Sequence, residues 1–325
     1  MEEKAAGGNA IKSEWPSLIF LGTPDFAVPS LKALMSAQAP IVLVVTQPDR
    51  PSGRGKKLSA PPVKVLAESS GIPVYQPQRI KEREAIEHIR SYGAECSVVV
   101  AYGQLLPQAF LDLFALGTLN VHGSLLPAYR GAAPLQRCLL AGEDRSGISI
   151  MLLDAGMDTG PVLSRRELPL AEHETFGSLH DKMARVGAEL LLETLREWKA
   201  GRIIPVAQED SLATYAPPIR KVEGRLLWNE PARRIVDTIR AFDPLPGAYG
   251  FFHGRRVKFF QAELLPWEGE GGAGEIVGCM ERGLVVLGGD GRGLVVGELQ
   301  LEGQRRLGAA ELLRGHAMPV GSFLE

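Results

Sequence analysis

Cysteine is scarce in this chain, and its spacing rules out two common kinds of site. The three cysteines, Cys96, Cys138 and Cys279, are odd in number and far apart, and no C-x-x-C pair occurs. A disulfide framework and a structural zinc site both need paired or clustered cysteines. We therefore expect neither of them, and we predict a reducing, cytoplasmic environment.

Long apolar runs are also lacking. No run approaches the roughly 18 apolar residues that a membrane-spanning helix needs, so no membrane partner is expected. The first sixteen residues, MEEKAAGGNAIKSEWP, have no apolar signal core. They are not a secretory peptide, and we predict that residues 1–16 form a disordered extension.

The chain has neither an excess of charge nor a nucleotide-binding glycine motif. Its net charge is −2 at pH 7, so binding to a polyanion must depend on local patches. After the first predicted strand only Gly22 is present where a dinucleotide site would show G-x-G-x-x-G, and Pro24 removes a backbone donor. A dinucleotide site is disfavoured, and no P-loop pattern occurs.

The length and the element pattern predict two domains. Short apolar strands alternate with helices up to residue 201, which is typical of a doubly wound, mostly parallel α/β sheet. Predicted strands are 17–21, 40–46, 74–75, 97–101, 118–121, 148–153 and 163–170; predicted helices are 26–35, 62–70, 82–90, 107–114 and 175–198.

After residue 201 the pattern changes. Residues 202–222 mix prolines with polar residues and are interpreted as a linker. Asn229 is predicted to cap a helix over 230–242, with Pro231 in its first turn. Five short strands separated by glycines then predict a small OB-like β-barrel. They are placed at 249–252, 256–264, 274–277, 283–287 and 293–301, with a last helix at 309–316.

One stretch concentrates chemically active side chains. Asn120 and His122 alternate along the predicted strand that starts at Thr118, so they point to one side at its carboxyl end. Such ends bind ligands in open α/β sheets. Asp158 lies in the later polar loop DAGMDTG and can reach His122 if the two strands are close. Alternatively, Asn120 is a turn former beside a structural histidine, and the second loop is only a turn or a weak cation site.

A basic segment follows the second predicted strand. Residues 47–57, QPDRPSGRGKK, contain the cations Arg50, Arg54, Lys56 and Lys57 and only one acidic residue. Prolines and glycines predict a long irregular loop. It is either a solvated loop or a flexible basic finger that contacts phosphates.

Several motifs together resemble a known family. NVHGSLLPAYRGAAP, followed by LDAGMDTGPV, closely resembles the 10-formyltetrahydrofolate-dependent formyltransferases. IFLGTPDFAVPSL, TQPDRPSGRGKK and VVVAYGQLLP resemble the branch whose acceptor is initiator methionyl-tRNA. The resemblance covers roughly residues 17–322. It implies a catalytic domain over 17–201, an OB-like tRNA-binding domain over 223–325, and an enzyme of translation initiation.

The resemblance also implies roles for particular residues. The co-substrate is 10-formyltetrahydrofolate, with no metal. Ser124, Leu125, Leu126 and Pro127 border the folate, and the loops carrying Tyr102, Leu106 and Asp154 line its pterin. Arg50, Arg54, Lys56 and Lys57 are implied to contact the acceptor end of tRNA. Residues 221–325 hold thirteen Lys/Arg against fourteen Asp/Glu, so only the resemblance makes them a tRNA-binding domain.

Formyl transfer explains why these side chains suit the site. Attack of a neutral amine on the formyl carbon gives a negatively charged oxygen, which Asn120 and His122 can stabilise by donating hydrogen bonds. Asp158 is expected to keep His122 charged and to help deprotonate the amine. Alternatives are a formyltransferase for a small amine or sugar nucleotide, a formyl-folate hydrolase, or an inactive RNA- or folate-binding module. Nothing suggests an obligate interface, and a monomer is expected.

Overall fold

The computed structural model describes residues 14–52, 57–267, 269–316 and 318–325. Its contacts divide the chain into two units. Among the described residues, the first unit contains those up to His122, Ile150–Ser164 and Gly187–Ala207, and the second contains Gly123–Ser149, Arg165–Val186 and Gln208–Glu325. Each unit therefore draws on several separate parts of the sequence.

The first unit contains the parallel part of a seven-stranded sheet. Its elements are β1 (Leu18–Gly22), α1 (Val28–Ser36), β2 (Ile41–Val45), β3 (Arg50–Ser52), β4 (Lys57–Ser59), α2 (Pro62–Ser69), β5 (Val74–Tyr75), α3 (Arg83–Arg90), β6 (Cys96–Val100), α4 (Gln108–Leu111) and β7 (Thr118–His122). The sheet order is β5-β2-β1-β6-β7, continued by β8 (Arg145–Leu152) and β9 (Val162–Pro169). In this part β1 pairs with β2 and β6, β2 pairs with β5, and β6 pairs with β7, and all four pairings are parallel.

The strand order confirms the predicted doubly wound fold. The chain runs outward from β1 through β2 to β5, then returns to place β6 and β7 on the other side of β1. All residues of β1 and β6 are buried, as expected for apolar strands covered on both faces. The order reverses between β1 and β6, which is where such sheets bind ligands at the carboxyl ends of their strands.

The prediction that residues 47–57 form an irregular loop was wrong at residues 50–52 and 57, which belong to strands. Strands β3 and β4 pair as an antiparallel ribbon, with Arg50 opposite Ser59 and Pro51 opposite Leu58. Because a two-stranded ribbon leaves one edge of each strand without a partner, a proline without an N–H can lie within it. The predicted tRNA contacts Arg54 and Lys56 lie outside the described residues.

The second unit contains the antiparallel sheet. The strands of this sheet are β10 (Ala248–Phe252), β11 (Arg255–Leu265), β12 (Ile276–Met280), β13 (Gly283–Leu287), β14 (Gly293–Leu301) and β15 (Leu307–Gly308). The unit also contains the helices α5 (Pro134–Leu140), α7 (Ala232–Phe242) and α8 (Ala309–Gly315). Helix α6 (Phe176–Lys199) runs from this unit into the first. The sheet order is β10-β11-β14-β13-β12, and β15 pairs with β14. The five predicted strands are thus confirmed, and β15 is an additional short one.

The predicted cap of α7 was wrong. The helix begins at Ala232 with Pro231 as its N-cap residue, and Asn229 makes no capping hydrogen bond. The backbone N–H of Ala232 instead donates to Asp290 Oδ1 at 3.0 Å. A carboxylate from a distant part of the chain therefore replaces the local cap, which a sequence pattern does not reveal.

The predicted linker contains a segment that is hydrogen-bonded to an earlier loop of the same unit. The backbone N–H of Arg130 donates to the Thr214 carbonyl, and that of Ala216 donates to the Arg130 carbonyl. The Arg130 side chain is 2% exposed and donates to Gln208 Oε1 and Asp210 Oδ1. Residues 208–216, the strap, are thus held by both backbone and side-chain bonds.

An ion pair close to the strap predicts acid sensitivity. Arg137 Nη1 donates to Glu223 Oε2 at 2.7 Å, and hydrogen bonding from Arg137 lowers the pKa of Glu223 from 4.5 to about 2. Because the folded pKa is depressed, the stabilisation is present above pH 4.5 and is lost as the pH falls towards 2. With allowance for solvent screening, it amounts to about 1–2 kcal/mol.

We therefore expect Glu223→Gln to lower the free energy of unfolding by about 1–2 kcal/mol at pH 7, and the difference to vanish near pH 2. Urea denaturation of both proteins across this range measures it. Glu230→Gln is the control, since Glu230 is exposed and forms no ion pair within the described ranges. A difference that is independent of pH would show that the substitution acts through packing instead.

No helix in the described part of the chain is both long enough and apolar enough to cross a bilayer.

Candidate active site

Strand β7 carries two of the predicted catalytic side chains. It ends at His122, one residue later than predicted, so Asn120 and His122 both belong to the strand and share one side of it. The first residue of β7 is fixed by two hydrogen bonds: Ser97 Oγ donates to Thr118 Oγ1 at 2.8 Å, and Leu153 N donates to the Thr118 carbonyl at 2.8 Å. The site is thus built on a rigid, buried strand.

The predicted partner of His122 lies opposite it. His122 Nδ1 and Asp158 Oδ2 are 3.7 Å apart, and the two side chains are 7% and 15% exposed. This distance exceeds that of a direct N–H···O hydrogen bond but allows electrostatic attraction, a small closing movement or a bridging water. The structure therefore brings His122 and Asp158 together, as the sequence predicted.

The loop that presents Asp158 is organised by Asp154. Asp154 Oδ1 accepts hydrogen bonds from Gly156 N at 3.0 Å and from Thr159 Oγ1 at 2.7 Å. Asp158 itself has a φ of 55°, in the left-handed region that Asn and Asp tolerate better than most residues. At Gly160 a side chain would collide with the Leu152 carbonyl. These features set the backbone from which the Asp158 carboxylate reaches towards His122.

The segment Ser124–Pro127 belongs to the second unit and is internally bonded. Ser124 Oγ donates to the Ala128 carbonyl at 2.6 Å, and Leu126 N donates to Ser149 Oγ at 3.0 Å. Ser149 Oγ in turn donates to the Ser124 carbonyl at 2.7 Å. Ser124 and Leu126 are buried, whereas Leu125 and Pro127 keep part of their surface exposed. The apolar surface that this segment offers to a ligand therefore comes from Leu125 and Pro127.

Tyr102 and Leu106 lie in the segment after β6. The Tyr102 ring is 1% exposed within the apolar core, and burial raises the pKa of its hydroxyl. Its carbonyl accepts a hydrogen bond from Thr23 Oγ1 at 2.9 Å. Leu106 packs against the same core. Contact between Tyr102 and a ligand would therefore involve its backbone more readily than its side chain.

The base of the β3–β4 ribbon is held by residues that the sequence did not single out. Lys64 Nζ donates to both oxygens of Asp49, at 3.0 and 2.9 Å, and Gln76 Nε2 donates to Asp49 Oδ1 at 2.9 Å. Hydrogen bonds from Gln76 and Lys64 lower the pKa of Asp49. No local pattern marks Lys64 or Gln76, because their importance depends on the folded chain bringing them to Asp49.

Of the four predicted phosphate-binding cations, Arg50 has a described side chain. It is exposed, and its Nη2 donates to Gln47 Oε1 at 3.0 Å. Lys57 begins β4, opposite Ser52. The ribbon follows the carboxyl end of β2, so it starts from the same edge of the sheet as the catalytic strand β7.

Together, Asn120, His122 and Asp158 provide an amide, an imidazole and a carboxylate at a mostly buried strand end. Amide and imidazole N–H groups can stabilise a developing oxyanion, and a nearby carboxylate can orient the imidazole and accept a proton. The described residues contain no cluster of three or more His, Cys, Asp or Glu side chains that could hold a metal ion. The arrangement suits acyl transfer by proton transfer and electrostatic stabilisation.

Comparisons with known proteins match nearly the whole chain. The family model for formyl transferase matches residues 17–195, and that for the formyl transferase C-terminal domain matches residues 218–317. A methionyl-tRNA formyltransferase from Citrifermentans bemidjiense is 45% identical over 94% of this chain and 96% of its own. One from Pelobacter propionicus is 46% identical over 95% of this chain and 96% of its own.

Solved structures show the same fold at low sequence identity. The N-formyltransferase from Helicobacter canadensis has a TM-score of 0.64 at 18% identity, covering 86% of this chain and 98% of its own. The methionyl-tRNA formyltransferase from Clostridium thermocellum has a TM-score of 0.54 at 17% identity, covering 77% of this chain and 94% of its own. With both family models and relatives above 40% identity covering almost all of its length, this chain belongs to the formyltransferase family.

Proposed function

We propose that this chain transfers the formyl group of 10-formyltetrahydrofolate to the amino group of initiator methionyl-tRNA, for translation initiation. The observation that carries the proposal is the buried His122–Asp158 pair at the end of β7, with Asn120 on the same strand. Relatives that bear the name methionyl-tRNA formyltransferase support the choice of acceptor.

The reaction follows from the properties of these groups. The neutral amine nitrogen forms a bond to the formyl carbon, and the carbonyl oxygen becomes an oxyanion that accepts hydrogen bonds from Asn120 and His122. Asp158 takes the proton released by the amine, directly or through water. The bond from the formyl carbon to folate N10 then breaks, and N10 accepts a proton by way of His122.

The folate contacts divide into two groups. Leu125, Pro127 and the backbone around Tyr102 and Leu106 supply surface for the co-substrate. Ser124, Leu126 and Asp154 use their polar groups within their own loops and so hold those loops in place.

The acceptor RNA is proposed to contact two regions of the protein chain. Arg50, Arg54, Lys56 and Lys57 of the ribbon segment contact phosphates near the acceptor end. Residues 223–325 form the OB-like tRNA-binding domain, joined by residues 202–222 to a catalytic domain over 17–201. The protein is proposed to act as a monomer in the cytoplasm.

The second candidate is a formyltransferase for a small amine or sugar nucleotide. The decisive experiment compares formyl transfer to methionyl-tRNA with transfer to small amines and amino sugar nucleotides, using purified protein. Preference for methionyl-tRNA supports the proposal, and transfer only to the small acceptors contradicts it. Folate binding without any turnover would instead indicate a binding module.

A variant of Arg50 tests the ribbon separately. We expect Arg50→Ala to raise KM for methionyl-tRNA about tenfold, because it loses one charge-assisted phosphate contact. Plots of log Kd for tRNA against log salt concentration should lose about one unit of slope. Arg90→Ala is the control, since Arg90 is exposed on α3 and pairs with Glu87. Identical slopes for Arg50→Ala and wild type would exclude Arg50 from the phosphate contacts.

A further inference from the structure

The β3–β4 ribbon forms a sheet of its own. Its two strands have three residues each, and among the described residues neither pairs with a strand of the two larger sheets. A two-stranded hairpin is at best marginally stable by itself. The course that this ribbon takes from the edge of the parallel sheet must therefore be set by contacts at its base.

Asp49, the residue before β3, receives several of these contacts. It is the one acidic residue among residues 47–57. Lys64 Nζ of α2 lies 3.0 and 2.9 Å from its two carboxylate oxygens, and Gln76 Nε2, just after β5, lies 2.9 Å from Oδ1. The side chains of Lys64 and Asp49 are 17% and 33% exposed, so the pair is partly shielded from water. A helix and a strand end thus meet on a single carboxylate.

Gln76 also holds the backbone that leads into the ribbon. Its Nε2 donates to the Gln47 carbonyl at 2.8 Å, and its Oε1 accepts a hydrogen bond from Lys64 Nζ at 2.8 Å. Gln47 is 7% exposed, and its Oε1 accepts the hydrogen bond from Arg50 Nη2. We name Gln47, Asp49, Lys64 and Gln76 the ribbon anchor. The anchor holds both the start of the ribbon and its first cation.

The ribbon anchor is joined to the middle of the parallel sheet. Gln47 N donates to Thr23 Oγ1 at 3.2 Å, and Thr23 Oγ1 donates to the Tyr102 carbonyl at 2.9 Å. Thr23 follows β1 and Tyr102 follows β6, the two strands between which the sheet order reverses. The base of the ribbon is therefore tied by hydrogen bonds to the sheet edge at which β7 ends.

The presence of an acid in this basic segment requires an explanation. A negative charge beside cations that are proposed to meet phosphates opposes the approach of RNA. Hydrogen bonds from Gln76 and Lys64 lower the pKa of Asp49, so the carboxylate is charged at neutral pH. Its three hydrogen bonds within the ribbon anchor offset this repulsion, because they stabilise one course of the ribbon.

We propose that Asp49 is a positioning residue for the acceptor substrate: through Lys64 and Gln76 it holds the ribbon in the course that carries Arg50 to the phosphates of the acceptor RNA. The proposal rests on the proposed function, which assigns the ribbon segment to those phosphates. A contribution to folding alone would affect the folate site and the RNA site alike, whereas a positioning role acts on RNA affinity.

The test uses the full-length chain with the variants Asp49→Ala, Lys64→Met and their combination. Glu87→Ala is the matched control, because it removes an exposed carboxylate of the same unit that pairs with Arg90. Fluorescence anisotropy gives the Kd for uncharged tRNA. Steady-state kinetics give KM for methionyl-tRNA and kcat, and a separate titration gives the Kd for the folate. Thermal unfolding verifies that each variant folds.

We expect Asp49→Ala to raise the Kd for tRNA and the KM for methionyl-tRNA about tenfold, because a loosened ribbon must be ordered when RNA binds. Coulomb attraction alone predicts the opposite sign, since the substitution removes a negative charge. The kcat and the folate Kd should stay within about twofold of wild type, as should every quantity for Glu87→Ala. Lys64→Met and the double variant should also weaken binding about tenfold, because each removes the same anchor and the losses do not add.

An Asp49→Ala protein that binds tRNA as tightly as wild type, or more tightly, overturns the proposal. A double variant whose loss is the product of the two single losses does so too, because Lys64 would then contact RNA separately. Equal losses of kcat, folate affinity and RNA affinity would show a general structural effect and likewise overturn it. If Lys64→Met does not fold, Asp49→Ala and Glu87→Ala still decide.

The outcome for wild type separates this proposal from the proposed function. If wild type formylates methionyl-tRNA while Asp49→Ala behaves like Glu87→Ala, the positioning role fails and the proposed function stands. A wild-type chain that neither binds tRNA nor formylates it overturns both.

Discussion

A His122→Ala variant is expected to transfer formyl groups about a thousandfold more slowly than wild type at saturating substrates. His122 is assigned two tasks, donation of a hydrogen bond to the oxyanion and transfer of protons. Alanine can do neither. His122 is almost completely buried at the end of β7, so the substitution removes a donor that the strand holds in place.

The measurement is single-turnover transfer with both substrates saturating, combined with the Kd for the folate. We expect that Kd to change by less than about threefold, because the lost interaction forms only as the oxyanion develops. His173→Ala is the control, as His173 is exposed in the second unit. A His122→Ala protein that retains near-normal turnover would remove the imidazole from the mechanism.

Asp158→Asn is expected to reduce kcat by roughly 10²- to 10⁴-fold. Asparagine has nearly the same shape as aspartate and also tolerates the positive φ of this position, so the loop that Asp154 organises should be preserved. What the variant loses is the negative charge 3.7 Å from His122 and the ability to take a proton. The effect should therefore appear in kcat rather than in substrate affinity.

Two comparisons make the Asp158 result specific. Asp144→Asn removes an exposed carboxylate elsewhere and should leave turnover close to wild type. Thermal unfolding of Asp158→Asn should match that of wild type within a few degrees. An Asp158→Asn variant with normal kcat and weakened folate binding would turn this residue into a ligand contact instead of a proton acceptor.

The catalytic strand could be predicted because its pattern is local. Alternation along β7 follows from strand geometry alone, and it places Asn120 and His122 on one side wherever the strand lies. The reach of Asp158 to His122 depends on a loop whose left-handed backbone and internal hydrogen bonds do not follow from a local sequence pattern. The sheet order brought the two segments together.

The errors share a physical cause. The ribbon of β3 and β4 was missed because proline and glycine content suggests irregular backbone, whereas its base is held by Lys64 and Gln76 from other elements. The cap of α7 was misassigned because Asp290, far along the chain, supplies the acceptor.

The buried guanidinium of Arg130 limits how the chain between the two predicted domains can be altered. If the strap were pulled away, this almost fully buried cation would lose its hydrogen bonds to Gln208 and Asp210. Insertions or deletions within residues 208–216 would therefore destabilise the second unit by disrupting these hydrogen bonds. A stretch that looks like a spacer in the sequence is fastened to its own unit, and engineered fusions or length changes belong outside it.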